Sequence, residues 1–227
     1  MIEQLESQWR ACSDDQHTGP DASPPRSHWP LLSRCRWGLV TILWLSILTV
    51  GFALVIDYHT RPGVAAAAPR HWPTASALTL SQQGATLVMF IHPQCPCSNA
   101  SLLELEALLK QTATPSRSFI VLVNSLADHS PTETWATAHG MTGVTVVSDT
   151  SGRETELFGS QTSGDLFVFD RDGRLTFQGG ITAGRGHVGQ GVSSQTAKEA
   201  ILHGRALERR PVFGCPLVDS AGGVAIR

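Results

Sequence analysis

The chain is 227 residues long, 41% hydrophobic and 16% charged, with a formal net charge of -2. These totals exclude wholesale disorder and point away from nucleic acid, since no basic excess is present to meet a polyanion. Five cysteines, Cys12, Cys35, Cys95, Cys97 and Cys215, are too few for a disulfide-stapled scaffold, and their odd number leaves any pairing incomplete.

Residues 1–36 are rich in Ser, Pro, Asp and Arg without apolar periodicity, and read as a disordered tail that carries Cys12 and Cys35. Residues 37–56, "WGLVTILWLSILTVGFALVI", hold no charge, and twenty residues rising about 1.5 Å each span the hydrocarbon layer of roughly 30 Å. One transmembrane helix is expected there. Arg26, Arg34 and Arg36 precede it closely, against Arg61 and Arg70 after it, so the tail is placed in the cytoplasm and the remainder on the periplasmic or other extracytoplasmic side of the inner membrane. The alternative is a cleavable signal peptide, with "VAAAAP" at 64–69 as the cleavage region. The long apolar stretch, the long preceding segment and the proline favour a retained anchor, and both readings export the domain. Residues 57–76 read as a tether, and 77–227 as the domain.

"ATLVMFI" (85–91) is a continuous apolar run, the mark of a buried strand, and "SLLELEALLKQ" then places Leu102, Leu105 and Leu109 on one helical face. "RSFIVLV" (117–123) is a second strand, "PTETWATAHG" a short helix ending at Gly140 with Trp135 in the core, and "TGVTVVSD" a third strand. "GDLFVFDRDGRLTFQGGI" is a hairpin turning at "DRDG", and "TAKEAILHGRALE" a last helix capped by Thr196 with Glu199 three residues on. This order predicts an α/β domain whose mixed sheet carries an antiparallel edge, with helices on both faces.

"HPQCPCSNAS" (92–101) lies between the first strand and the first helix of that domain. Its two cysteines are open to three readings: a redox pair, a metal clamp, or two unrelated buried thiols. A thiol delivered to a helix N-terminus meets unpaired N–H groups and the positive end of the dipole, so Cys95 is expected to be a low-pKa nucleophile. His92 is a candidate to lower it further if protonated and near, or equally to cap the strand end facing water. A Cys95–Cys97 disulfide closes over one residue and departs from preferred torsions, which makes it readily reduced and favours donation of disulfides.

The order of elements around "CPC" resembles the thioredoxin-like superfamily over residues 76–210. "HPQCPCSNASLLELE", "TSG", "GGITAGRGHVG" and "PVFGCPL" together resemble the membrane-anchored RedB-type thioredoxin-like proteins. The resemblance implies a thioredoxin-like fold, thiol-disulfide exchange by Cys95 and Cys97 on protein thiols or disulfides, and supporting roles for His92, Pro96 and Ser163. Three features depart from the superfamily: one residue rather than two between the cysteines, Gln94 where a tryptophan is usual, and "TSG" (Thr162, Ser163, Gly164) where a cis-proline is usual.

No organic cofactor is expected. The rival reading is a metal-binding module, copper-binding and chaperone-like, because two thiolates and imidazole suit Cu(I) or Zn(II). His92, His187 and Cys215 are the candidates to complete its ligand set. The loop 179–191 should return beside the cysteines, and its glycines at 184, 186, 189 and 191 permit close passage, although an exposed loop histidine is the simpler reading of His187. Cys215 lies among apolar neighbours and reads first as an inert buried thiol, with a resolving or ligating role as the alternative.

"GRGHVG" (184–189) matches a dinucleotide fingerprint but no βαβ unit follows it. Asp170 and Asp172 belong to a hairpin turn rather than a calcium loop. Glu104 and Glu106 read as a solvated helix face, and Asp128 and His129 as a loop pair.

Overall fold

The structure, a computed structural model, describes residues 31–112, 117–123, 132–204 and 207–217. The tail containing Cys12, the Asp128–His129 pair and the side chain of Cys35 lie outside the described residues. The chain divides into two units, Met1–Gly51 and Phe52–Arg227.

Helix α1 (Leu31–Thr60) extends the predicted span at both ends, and Arg36–Thr60 is long and apolar enough to cross a membrane. Three hydroxyl side chains of its apolar stretch are satisfied within the helix: Thr41, Ser46 and Thr49 donate to the carbonyls of Trp37, Ile42 and Leu45. That is the pattern a lipid-facing helix requires, because no water is present there to pair a hydroxyl.

The second unit contains the predicted mixed sheet flanked by helices. Strands β1 (Thr86–Ile91), β2 (Arg117–Leu122), β3 (Val144–Ser148), β4 (Asp165–Phe169), β5 (Leu175–Gly179) and β6 (Glu208–Arg209) lie in the order β3-β2-β1-β4-β5-β6. β1 pairs parallel with β2 and antiparallel with β4, so it occupies the middle. Every residue of β1 is buried, which explains a continuous apolar run in place of alternation.

Leu87, Met89 and Ile91 face one layer, made by α2 (Ser98–Thr112), α3 (Glu133–Gly140) and α5 (Val192–His203). Val88 and Phe90 face the other, where α4 (Arg153–Phe158) contributes Phe158. The segment assigned as a tether also joins this second layer. Ala66, Ala68 and Trp72 pack on it, and Trp72 meets Phe158 and Phe169 edge-on at 5.3 and 5.1 Å.

Four expectations are corrected. Helix α4 escapes the sequence because its six residues, bounded by Gly152 at φ 73 and Gly159 at φ 66, are too short to show a period. Helix α5 starts at Val192 rather than Thr196: Ser194 exchanges hydrogen bonds with the Gly191 backbone, and Thr196 donates to the Val192 carbonyl from within the helix. Trp135 is 39% exposed and stacks on His139, since it lies on the outer side of α3. Glu104 is buried and accepts the Gly189 N–H, which ties the glycine-rich loop to α2. The "DRDG" turn is as expected, with the Asp170 carboxylate accepting from the N–H groups of Asp172 and Arg174.

Candidate functional site

β1 ends at Ile91, and the chain reaches α2 through two consecutive turns. Cys95 N–H donates to the His92 carbonyl and Ser98 N–H to the Cys95 carbonyl, each at 3.0 Å. Cys95 is thereby placed in the turn before α2, with Cys97 immediately preceding the first helical residue. Pro96 is exposed between them.

A buried polar lattice fixes the turn from beneath. His92 N–H donates to Ser163 Oγ at 2.9 Å, Ser98 Oγ lies 2.7 Å from Ser163 Oγ, and Ser98 Oγ donates to the His92 carbonyl at 3.1 Å. His92 Nδ1 accepts the Gln94 N–H at 3.3 Å, which turns the imidazole toward its own loop. Thus the three supporting residues expected from the sequence divide by role: His92 and Ser163 build the turn, and Pro96 faces outward.

The C-terminal segment completes the site. After β6, Arg210 N–H donates to the Gln178 carbonyl and Gly180 N–H to the Pro211 carbonyl, so the segment follows the sheet edge. Ser163 N–H then donates to the Cys215 carbonyl and Leu217 N–H to the Gln161 carbonyl, both at 2.8 Å, and the fully buried Leu217 side chain anchors the end. Gly214 makes the crossing possible, because a Cβ there would lie 1.9 Å from the Ser163 carbonyl oxygen.

This path brings Cys215 Sγ to 2.8 Å from Cys95 Sγ, across 120 residues of sequence. Cys95 is 3% exposed, whereas Cys97 and Cys215 are part-exposed. Cys215 is therefore neither fully buried nor isolated, and it joins Cys97 as a neighbour of Cys95.

Cys95 gathers donors. The Cys215 thiol contributes most, against the opposing effect of burial; the Ser98 hydroxyl and the N–H groups of Cys215 and Cys97 add to it, and together they lower the Cys95 pKa to about 5. Cys215 is pushed up chiefly because its proton is held in the bond to Cys95, with burial and the charges of Cys95 and Cys97 acting in the same direction. Cys97 is raised by burial and then by the Cys95 charge. Within the pair ionisation is therefore favoured on Cys95 and disfavoured on Cys215.

Two functional residues were not singled out from the sequence. Ser98 stands where a two-residue spacing would put the second cysteine, and that register was the available signal. Arg185, in the glycine-rich loop, donates to the Gly214 carbonyl at 2.5 Å, and its charge favours ionisation of both Cys97 and Cys215. The loop does return to the cysteines as expected, but it presents Arg185, while His187 is exposed. Among the described residues no three His, Cys, Asp or Glu side chains converge to hold a metal ion.

No protein-family model and no curated protein matches the chain. An uncharacterized conserved protein from Geobacillus kaustophilus is similar over 69% of this chain and 91% of its own, at 18% identity and a TM-score of 0.51. A hypothetical protein from Sinorhizobium meliloti 1021 is similar over 68% of this chain and 92% of its own, at 20% identity and a TM-score of 0.48. A secreted Mycobacterium tuberculosis disulfide oxidoreductase homologous to E. coli DsbE is similar over 42% of this chain and 68% of its own, at 16% identity and a TM-score of 0.36. At such identities the likeness is one of fold.

Proposed function

We propose that this chain, which has a thioredoxin-like fold, is a membrane-anchored thiol-disulfide oxidoreductase of RedB-like type whose working pair is Cys95 and Cys215. The observation that carries the reading is the 2.8 Å approach of those two sulfurs, and the lowered pKa of Cys95 supports it. Exchange needs a thiolate, a second sulfur within bonding reach and an exposed edge for the partner, and these three cysteines supply all of them. Helix α1 anchors the domain on the extracytoplasmic side, where protein thiols and disulfides are its partners.

The test uses the full chain in detergent, with glutathione disulfide and a two-cysteine peptide as substrates. Catalysed exchange is expected, with loss in Cys95→Ser and in Cys215→Ser. Proteolytic mapping of the oxidised chain should find a Cys95–Cys215 crosslink. Undiminished exchange in Cys95→Ser would sink the reading. Metal analysis of the same preparation examines the copper alternative, which predicts stoichiometric copper lost on replacement of either Cys95 or Cys97.

A further inference from the structure

Resting on that exchange reading, we infer that the site donates disulfides to partner dithiols, with Cys215 as the sulfur that takes the partner and Cys95 as the sulfur that leaves.

Accessibility selects the point of attack. In a Cys95–Cys215 disulfide an incoming thiolate must approach one sulfur along the bond axis, and Cys95 is 3% exposed beneath the turn, whereas Cys215 is part-exposed. The donors gathered around Cys95 select the leaving group independently. Ser98 and the backbone of Cys97 and Cys215 each act to lower the Cys95 pKa, so an electron pair that arrives on Cys95 is held there as thiolate. Attack at Cys95 would instead expel Cys215, whose ionisation burial and the Cys97 charge oppose and the Arg185 charge favours, with no hydrogen-bond donor among the described residues acting in its favour.

The steps balance as follows. The partner's first thiolate bonds to Cys215 Sγ, the Cys95–Cys215 bond breaks, and its electron pair leaves on Cys95. The partner's second thiolate then attacks the partner's own first sulfur, which closes the partner disulfide and expels Cys215. Of the two partner protons one is taken by Cys215 and the other passes to solvent. The partner loses two electrons and the protein gains them; a small-molecule disulfide re-forms the bond afterwards.

The same donors stabilise the reduced pair, so the direction follows from the geometry as well. In the reverse direction the accessible sulfur, Cys215, holds its proton and is a slow nucleophile, while the ionised sulfur is covered.

The experiment reacts the oxidised full chain in detergent, in a Cys97→Ala background that prevents migration of the adduct, with a single-cysteine peptide. Acid quenching and mass mapping then locate the peptide. It is expected on Cys215 in excess over Cys95 by about tenfold or more, the advantage of the better leaving group. In parallel the oxidised chain should convert a two-cysteine peptide to its disulfide faster than the reduced chain reduces that disulfide. Peptide found mainly on Cys95, with the Cys95–Cys215 crosslink confirmed beforehand, overturns the entry point while leaving the exchange reading intact. A crosslink mapped to Cys95–Cys97 in the unsubstituted chain overturns both. Faster reduction than oxidation overturns the direction alone, and with it the proposal.

Discussion

Replacing Cys215 with alanine should move the ionisation of Cys95 in a way that no other single change reproduces. The Cys215 thiol is the largest influence holding Cys95 near a pKa of about 5, so at pH 7 thiolate exceeds thiol by about 100 to 1. A hydrogen bond to a charged group contributes about 1.5–3 kcal/mol, and a pH unit corresponds to about 1.4 kcal/mol, so the midpoint should rise by about one to two pH units. The Ser98 hydroxyl and the Cys97 N–H remain, and they keep the Cys95 midpoint below the unperturbed value of 9.0. Thiolate absorbance at 240 nm, followed against pH on reduced full chain with Cys12, Cys35 and Cys97 replaced by alanine, reads the step directly. An unchanged midpoint in Cys215→Ala would refute the influence of Cys215 on Cys95, and with it the reasoning that puts the charge on Cys95.

Gly214→Ala should cost on the order of 2–4 kcal/mol in unfolding free energy, as a Cβ set 1.9 Å from the Ser163 oxygen displaces the C-terminal segment. The same variant should lose the Cys95–Cys215 crosslink on oxidation, seen by mapping. The reduced chain should gain stability relative to the oxidised chain as pH rises from about 5 toward 9.0, measured by paired thermal melts. Cys95 has its pKa depressed by folding, so its contribution is complete above 9.0 and lost as pH falls through about 5. Cys97 and Cys215, both raised above 9.0, stay protonated through that window and do not oppose it. Asp165→Asn should stabilise the fold above pH 7 by about 1–3 kcal/mol and lose that advantage near pH 4. Burial raises the Asp165 carboxyl to about 7 from 3.8, against its bonds from Gln178 and Ser160, so its ionised form is the one that weakens the fold; a flat difference across this range would contradict that account.

What the sequence made legible was whatever repeats locally. The apolar runs of β1 and β2, the hairpin at Asp170–Gly173 and the leucine face of α2 all follow from periods and turn residues within a few positions. Cys95 at a strand-to-helix junction was legible for the same reason. Its partner was not, because the approach of Cys215 depends on a segment that crosses the sheet edge, threads past Ser163 at Gly214 and is pinned by Leu217. None of those contacts is local. "PVFGCPL" showed a glycine and a cysteine among apolar neighbours, and only the fold reveals that the glycine is a passage and the cysteine its cargo. Arg185 was hidden similarly: the loop's return was foreseeable from the hairpin, but which of its side chains would face the sulfurs was not.

The position of Cys215 also resolves the difficulty posed by the CxC spacing. A ring closed over one residue must distort the torsions of its own disulfide, so Cys97 is a poor permanent partner for Cys95. Cys215 comes from a separate segment whose hydrogen bonds to Gln161 and Ser163 set its position independently of the turn at 92–97. On the proposed reading the pair opens and closes while the lattice of His92, Ser98 and Ser163 stays in place. Ser98 fits this arrangement better than a cysteine would. At the superfamily's usual spacing a second thiol would compete with Cys215 for Cys95, whereas the Ser98 hydroxyl binds the His92 carbonyl and Ser163 and cannot form a disulfide. The short spacing then leaves Cys97 part-exposed, where the Arg185 charge favours its ionisation, and on the proposed reading it stays outside the Cys95–Cys215 bond.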